Sequence, residues 1–513
     1  MRAKAATVVA PAVLLALTVG AQAQIRFAGG VGVADVVSTV LAGSPDIEQA
    51  RLAVEAEAGN LLLAASPFDL EVRTMLQRAR ESLSLASARD GVPATETIET
   101  RTSAIKSFRS GLVVSSELSL GHNRGSTFGL PAARIDASVS VRVPLVGGRG
   151  GSAASGGERA ALESVAASRL ERDHIVARAV HDAVLAYWRY LAAHGRLRTY
   201  VASADRAQRL VEETRVLIRA DERPASDLDL VASNRAQKLT AVTVARQTLL
   251  DAKYALGIAM GLPAGSIPTL GPPLTGFPDA TGEHGSAAGA AARAAAVRTA
   301  LAARRDLAAL RTRRDGARLA WEGALREVRS RWDIVTRVGY TSVARMAASA
   351  PDAWFGPGAG GVSSLLRIEY EPAATNRAVR GTALGRAARY RTAVVAVDDL
   401  SRRIEANVLV AIEACDNAAR EARTADESVR LSERSVRTEQ EKFRLGLGTL
   451  FDAILAEDSL TNARLRSTDA RLRLAGALVR LRFETGSLLD VTGGRVSADP
   501  NRLTSFVLEE RES

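Results

Sequence analysis

The chain has five histidines, His122, His174, His181, His194 and His284, and one cysteine, Cys415. These residue types are the usual carriers of metal binding and nucleophilic chemistry. Their placement supports neither, because the histidines are scattered without a ligand spacing and no HExxH or GxSxG occurs. The glycine-rich stretch GGRGGSAASGG (147–157) follows Pro144 and lacks the lysine of a phosphate loop. The expectation is therefore no catalytic residue, no metal, no cofactor and no enzymatic activity. Cys415 falls on a small-residue seam and reads as a core hydrophobe. Two aspartates carry more information. SDLDLVAS (226–233) is similar to TLFDAILA (449–456), with Asp229 over Asp452. Each lies just past a helix break, where a carboxylate favours the helix dipole by about 0.3–1 kcal/mol.

The elements that would position Asp452 are long helices. Val408, Cys415, Ala422, Val429, Val436 and Phe443 recur every seven residues, beside Ile404, Ala411, Ala418 and Ala425. That is a coiled-coil seam of mostly small residues. It stops at Gly446 and Gly448 and resumes with Ala456, Leu460, Ala463, Ala470, Leu474, Ala477 and Leu481. A glycine at the break supplies a left-handed turn residue, and Thr449 can cap the next helix. The stretch predicts the tip of an antiparallel helical hairpin with arms of about 45 to 70 residues, or about 70 to 100 Å. So thin a seam needs neighbouring helices.

The chain divides into two similar halves. HDAVLAYWRYL (181–191) is similar to EANVLVAIEAC (405–415), and SPDIEQAR (44–51) to RRDLAALR (304–311). The expected organisation is a first structural repeat over 24–260, with a strand pair near 111–146 and a helical hairpin near 151–260. A Pro/Gly-rich linker covers 261–290. The second repeat covers 291–489, with strands near 333–372 and a hairpin near 376–484. A tail covers 490–513. Residues 1–23 read as a secretory signal: Arg2 and Lys4, an apolar run from Ala5 to Leu17, then Ala21-Gln22-Ala23. The net charge of +11 comes mostly from arginine, with only five lysines. Arginine and acid alternate along the helices, as in ERSVRTEQEKFR, which marks solvated helix faces and no nucleic-acid partner.

The strands alternate. In RIDASVSVRVPL (134–145), Ile135, Ala137, Val139, Val141 and Val143 share one face, and Arg134, Asp136, Ser138, Ser140 and Arg142 the other. LVVSSELSL (112–120), DIVTRVGYT and LLRIEYE show the same dyad. Ten-residue strands of this kind suit a transmembrane β-barrel, with one face toward lipid and one toward a polar lumen. Four strands cannot close a barrel, so other copies of the chain are needed. Trp332, Trp354 and Phe355 suit the membrane interface. Pro144 and Pro372 are expected to close the second strand of each pair at strand-to-helix junctions.

These pieces carry a family resemblance. FRLGLGTLFDAILAEDSL, SPDIEQA, RVPLVGGRG, AVLAYWRYLAA, RRDLAAL and EPAATNRAVRG occur in the order found in the TolC-like outer-membrane efflux protein family, over about 43–489. The resemblance implies an α+β membrane protein of the cell outer membrane that extends into the periplasm. It implies a homotrimer, in which each subunit gives four β-strands to a shared barrel and long coiled-coil hairpins to a periplasmic α-barrel. Such a duct is passive. Its implied partners are a periplasmic adaptor, an inner-membrane transporter and outer-membrane lipid. The glycine turn becomes the periplasmic tip and gate, with Asp229, Phe443, Gly446, Gly448, Thr449 and Asp452. A soluble periplasmic coiled-coil scaffold or adaptor is the alternative; it would share the seams and lack the barrel strands.

In a trimeric ring Asp452 would recur three times. At 4 Å and an effective dielectric of 20, each such pair repels by about 4 kcal/mol, which suits a cation-attracting constriction. Capping and gating stay open for Asp452, while Asp229 inclines to capping. The resemblance departs at the tip. A tyrosine of known members is Phe443 here, an arginine is Gly448, and a second aspartate is Leu455. The latch that those residues form is not carried over. The segment Arg73–Ser110 is longer than the resemblance implies and is assigned no element.

Overall fold

The computed structural model describes residues 27, 29–82, 94–124, 132–146, 155–279, 289–345, 360–372, 377–492 and 495–497. The signal segment, Trp354, Phe355, the stretch 147–154 and most of the tail lie outside them. The chain forms two compact units, each assembled from separate stretches of sequence: 54–168 with 309–398, and 1–53 with 169–308 and 399–513. In chain order the helices are α1 (Val33–Gly43), α2 (Pro45–Ala65), α3 (Gly156–Arg219), α4 (Ser226–Ala259), α5 (Ala290–Ala303), α6 (Arg305–Glu327), α7 (Arg377–Arg444) and α8 (Leu450–Glu484). The two long arms, α3 and α7, have 64 and 68 residues. Their returning partners, α4 and α8, have 34 and 35, shorter than the seam length suggested.

Alternation builds the sheet of the unit containing 54–168. It has six strands, not the expected four: β1 (Leu70–Ser82), β2 (Ala94–Ser107), β3 (Val113–Arg124), β4 (Ala132–Val146), β5 (Arg331–Arg345) and β6 (Gly360–Glu371). They pair in chain order and every pair is antiparallel. The additional hairpin, β1 and β2, fills the segment left unassigned in the sequence. Because side chains alternate across a strand, the register sorts both faces. One face carries Leu70, Val72 and Leu76 of β1, Leu118 and Leu120 of β3, Val139 of β4, Val338 of β5, and Val362, Leu366 and Ile368 of β6, all exposed. Leu76 is 75% exposed and Val362 78%. Trp332 and Tyr370 are paired on this face at its helix-proximal end, their rings 4.5 Å apart.

The opposite face is polar and cross-linked. Arg101 meets Glu99 at 2.6 Å and Glu117 at 3.4 Å. Arg134 meets Asp136 at 2.6 Å, and the Thr341 hydroxyl donates to the same carboxylate at 2.6 Å. Arg142 and Arg367 both reach Glu369, at 3.5 and 3.4 Å. Pro144 does not end its strand. It sits inside β4 opposite Asp333, and the pairing shifts between Pro144 and Val146, where proline has no N–H to give the ladder. Pro372 follows the last residue of β6 directly.

In the other unit the AYWRY motif forms the core. Tyr187, Trp188 and Tyr190 are buried with Val33, Val36, Val37 and Val40 of α1. The described first part of the linker, 261–279, packs here. Tyr187 donates to the Thr275 carbonyl at 2.9 Å and accepts from the Thr275 N–H at 2.8 Å, and Tyr190 donates to the Gly271 carbonyl at 3.0 Å. Most of the heptad seam is buried, with Val408, Cys415 and Ala422 each 1% exposed or less, while Ala425 and Val429 are half-buried. Burial pushes the Cys415 thiol up to about 12, which keeps it an un-ionised core residue. After α8, the strands β7 (Asp490–Thr492) and β8 (Arg495–Ser497) form a small hairpin. Among the described residues no helix is long and apolar enough to cross a membrane.

Candidate functional site

The tip between α7 and α8 collects most of the predicted site residues. A helix leaves its last carbonyls without partners, and the chain must turn to satisfy them. Here Gly446 N–H donates to the Phe443 carbonyl at 3.1 Å and Leu447 N–H to the Lys442 carbonyl at 2.8 Å. This pair of bonds is the Schellman closure, and it needs a left-handed residue at position 446. Gly446 has φ +67° and supplies it. Gly448 answers a different need: a Cβ there would lie 3.1 Å from Cβ of Lys442. The first tip closes the same way, with Asp221 N–H on the Ile218 carbonyl and Glu222 N–H on the Leu217 carbonyl. Asp221 takes the left-handed position there, at φ +61°.

Thr449 starts α8 as its N-cap. Its hydroxyl accepts from Asp452 N–H at 3.1 Å, and Thr449 N–H donates to the Asp452 carboxylate at 3.3 Å, so the two residues form a reciprocal capping box. The Thr449 hydroxyl also lies 2.6 Å from the carboxylate. The hydrogen bonds from Thr449 hold the Asp452 carboxyl below the usual carboxylate range. The capping reading of Asp452 is thus visible in its bonds, and its exposed carboxylate keeps the charge that a gate would use. Asp229 lies in the first turn of α4, exposed, with no side-chain hydrogen bond to the described residues.

Phe443 joins the two tips. It is 4% exposed, packed with Val211, Val231, Leu450, Ala453 and Ile454, so both hairpins contribute to its surroundings. Arg223, from the first tip, places its guanidinium 4.9 Å from the centre of the Phe443 ring. The same guanidinium donates to the Gly448 carbonyl at 3.1 Å. Sequence reasoning missed Arg223, because nothing local in ADERPAS marks it as a partner for a ring 220 residues away. Further along, Arg206 pairs with Glu457, Lys238 with Asp458, Arg196 with Asp469, and Thr461 with Ser203. The first and second hairpins are therefore laced together by polar contacts on α8. Leu445, Leu447, Phe451 and Leu455 remain exposed at the tip, Leu447 at 77%. Pro144 belongs to β4 and Pro372 directly follows β6, both in the other unit. Among the described residues no cluster of metal-ligating side chains occurs.

No protein-family profile and no curated protein sequence matches the chain. Solved structures do. The outer membrane protein VceC of Vibrio cholerae is 15% identical, with 88% of this chain and 96% of that chain covered, at a TM-score of 0.65. The CmeC outer membrane channel of Campylobacter jejuni is 13% identical over 92% of this chain and 88% of its own, at 0.66. The open state of the MtrE outer membrane channel of Neisseria gonorrhoeae is 15% identical over 88% of each chain, at 0.60. At this identity the likeness defines a fold. The chain has the TolC-like channel fold.

Proposed function

We propose that this chain is the outer-membrane channel of a tripartite efflux or export system: a passive homotrimeric duct through the periplasm, working with a periplasmic adaptor and an inner-membrane transporter. The observation that carries the reading is the two-faced sheet. Exposed Leu, Val and Ile on one face would be costly in water at about 25 cal/mol per Å², and they match a lipid boundary. Arg, Glu, Asp and Thr on the other face suit a water-filled lumen. The Trp332–Tyr370 pair suits one rim of the lipid band. The fold likeness to outer-membrane channels supports the same assignment.

The glycine tip is then the periplasmic end. Asp452, recurring around the threefold axis, would attract cations there, and Asp229 would serve its own helix start. The exposed Leu445, Leu447, Phe451 and Leu455 offer an apolar surface for the adaptor. No bond-making chemistry is assigned to any residue. Pro372 would mark where the wall passes from strand to helix in the second structural repeat, while Pro144 lies within the wall. Fractionation tests the reading. The protein should stay in the outer-membrane fraction through salt and alkali washes and run as a heat-modifiable trimer on mild gels. A monomer in the soluble periplasmic fraction would overturn the proposal and favour a soluble coiled-coil scaffold.

A further inference from the structure

We infer that each chain supplies six strands to the membrane wall, so that three copies close an eighteen-stranded barrel in which β1 of one copy pairs with β6 of the next. The inference rests on the trimeric channel reading and adds the count, the seam and its register.

Three observations carry it. The first is continuity. β2 is hydrogen-bonded to β3 along its length, from Ser107 opposite Val113 to Glu96 opposite Arg124. The edge of β3 is therefore occupied and cannot be the seam between copies. Among the described residues, the only unpaired edges of this sheet are those of β1 and β6. The second is the face. Leu70, Val72, Thr74 and Leu76 of β1 fall on the same side as the apolar residues of β3 to β6, and Glu71, Arg73 and Gln77 on the charged side. A hairpin folded into the lumen as a plug would not extend the lipid-facing side in register. The third is parity. With an even number of antiparallel strands, β1 and β6 run in opposite directions, so closure keeps the antiparallel pattern throughout.

The register of the seam follows from the climb of the sheet. The row of opposed residues that begins at Leu70, the first residue of β1, passes Lys106, Val114, Val141 and Thr336. It ends at Leu366, five residues short of Glu371, the last residue of β6. Only an even offset keeps apolar side chains beside apolar ones; of the two even values next to five, four would give a tilt of about 27°, below the range for membrane barrels, so the offset is six. Six residues per six strands makes the shear equal to the strand number. That relation gives a strand tilt of about 36°, inside the range for membrane barrels.

An offset of six sets Leu76 opposite Leu366, Thr74 opposite Ile368 and Val72 opposite Tyr370 on the lipid side. On the lumen side it sets Arg73 opposite Glu369. The same register sets Glu71 opposite Glu371 on the lumen side, each held by an arginine of its own sheet, Arg73 and Arg331. With strands about 4.8 Å apart, eighteen strands at this tilt enclose a backbone radius of about 17 Å, against about 11 Å for twelve. The cross-section at the membrane is roughly doubled.

Cysteine pairs test the seam. In full-length Cys415→Ser protein, Arg73→Cys with Glu369→Cys should give disulfide-linked dimers and trimers on denaturing gels after mild oxidation. Thr74→Cys with Ile368→Cys should do the same. Ser115→Cys with Glu369→Cys, the pair expected at the same tilt if only β3 to β6 formed the wall, should remain monomeric. Mild gels before oxidation establish that each variant assembles. Assembled trimers in which neither β1–β6 pair links, or in which the β3–β6 pair links instead, overturn the eighteen-strand wall and leave the trimeric channel standing. A parent protein that forms no trimer overturns the channel reading and this inference with it.

Discussion

Replacing Arg223 by alanine should loosen the tip by an amount that depends on the ring at position 443. Arg223 makes two contacts there: its guanidinium lies 4.9 Å from the Phe443 centroid, and it donates to the Gly448 carbonyl at 3.1 Å. Arg223 is half-buried, so the ring contact is worth about 1 kcal/mol, between the exposed and desolvated limits. Partial exposure brings the charge-assisted hydrogen bond to about 1 kcal/mol as well, below the fully buried value. Arg223→Ala should therefore cost about 2 kcal/mol of local stability. In a Phe443→Leu background, which keeps the site apolar and removes the ring face, the same change should cost about 1 kcal/mol.

Amide exchange reads this directly. Leu447 and Gly448 N–H both donate to the Lys442 carbonyl, at 2.8 and 3.1 Å, and exchange only when the tip opens. Arg223→Ala should speed their exchange roughly thirty-fold in the parent and roughly five-fold beside Phe443→Leu. Equal accelerations in the two backgrounds would refute the reasoning. The ring would then be filler for the Val211–Leu450 cluster and no partner of the cation.

Two further outcomes follow from the same tip. Gly446→Val with Gly448→Val should abolish export while the trimer band on mild gels persists. Valine at φ +67° costs about 1–2 kcal/mol, and a Cβ at 448 crowds Lys442. The Asp452 carboxyl is held below its ordinary value, so its cap is in place above that value and is lost as pH falls through the lower folded one. Relative to the intrinsic exchange rate at each pH, protection at the start of α8 should fall in acid, and Asp452→Asn should remove that pH dependence. In planar bilayers the same variant should lose cation selectivity; unchanged selectivity in a folded trimer would leave capping as its only part.

What the sequence disclosed depended on how local the cause was. The alternation of Arg134–Leu145 made β4 readable because every second residue is aliphatic. The heptads of α7 made its seam readable for the same reason. β1 and β2 were hidden. LEVRTMLQRARES is rich in Leu, Arg, Glu, Gln and Met, which favour helix, and it forms a strand through tertiary pairing. β2 presents Thr100 and Thr102 on its apolar side, so its dyad lacks hydrophobic contrast; Thr102 meets the Thr74 hydroxyl at 3.2 Å instead. The turn at Gly446 was legible because glycine is the cheap left-handed residue. The matching turn at Asp221 was not, because aspartate only tolerates that conformation. Strand ends at proline were misjudged at Pro144, where a register shift absorbs the missing N–H and pairing continues.

The departures at the tip take on a different meaning once the facing hairpin is in view. Compared position by position with the family it resembles, the sequence loses a hydroxyl at Phe443, a cation at Gly448 and a carboxylate at Leu455. In the folded chain a cation is present, supplied by Arg223 from the other hairpin. It uses the ring face, which phenylalanine offers as well as tyrosine does, and the Gly448 carbonyl, which any residue offers. Neither acceptor titrates, and arginine stays charged at every physiological pH. Acidification therefore acts on the Asp452 cap and leaves the Arg223 contact intact. A tip that opens in acid opens from the start of α8, with Arg223 still joining the two hairpins at their ends.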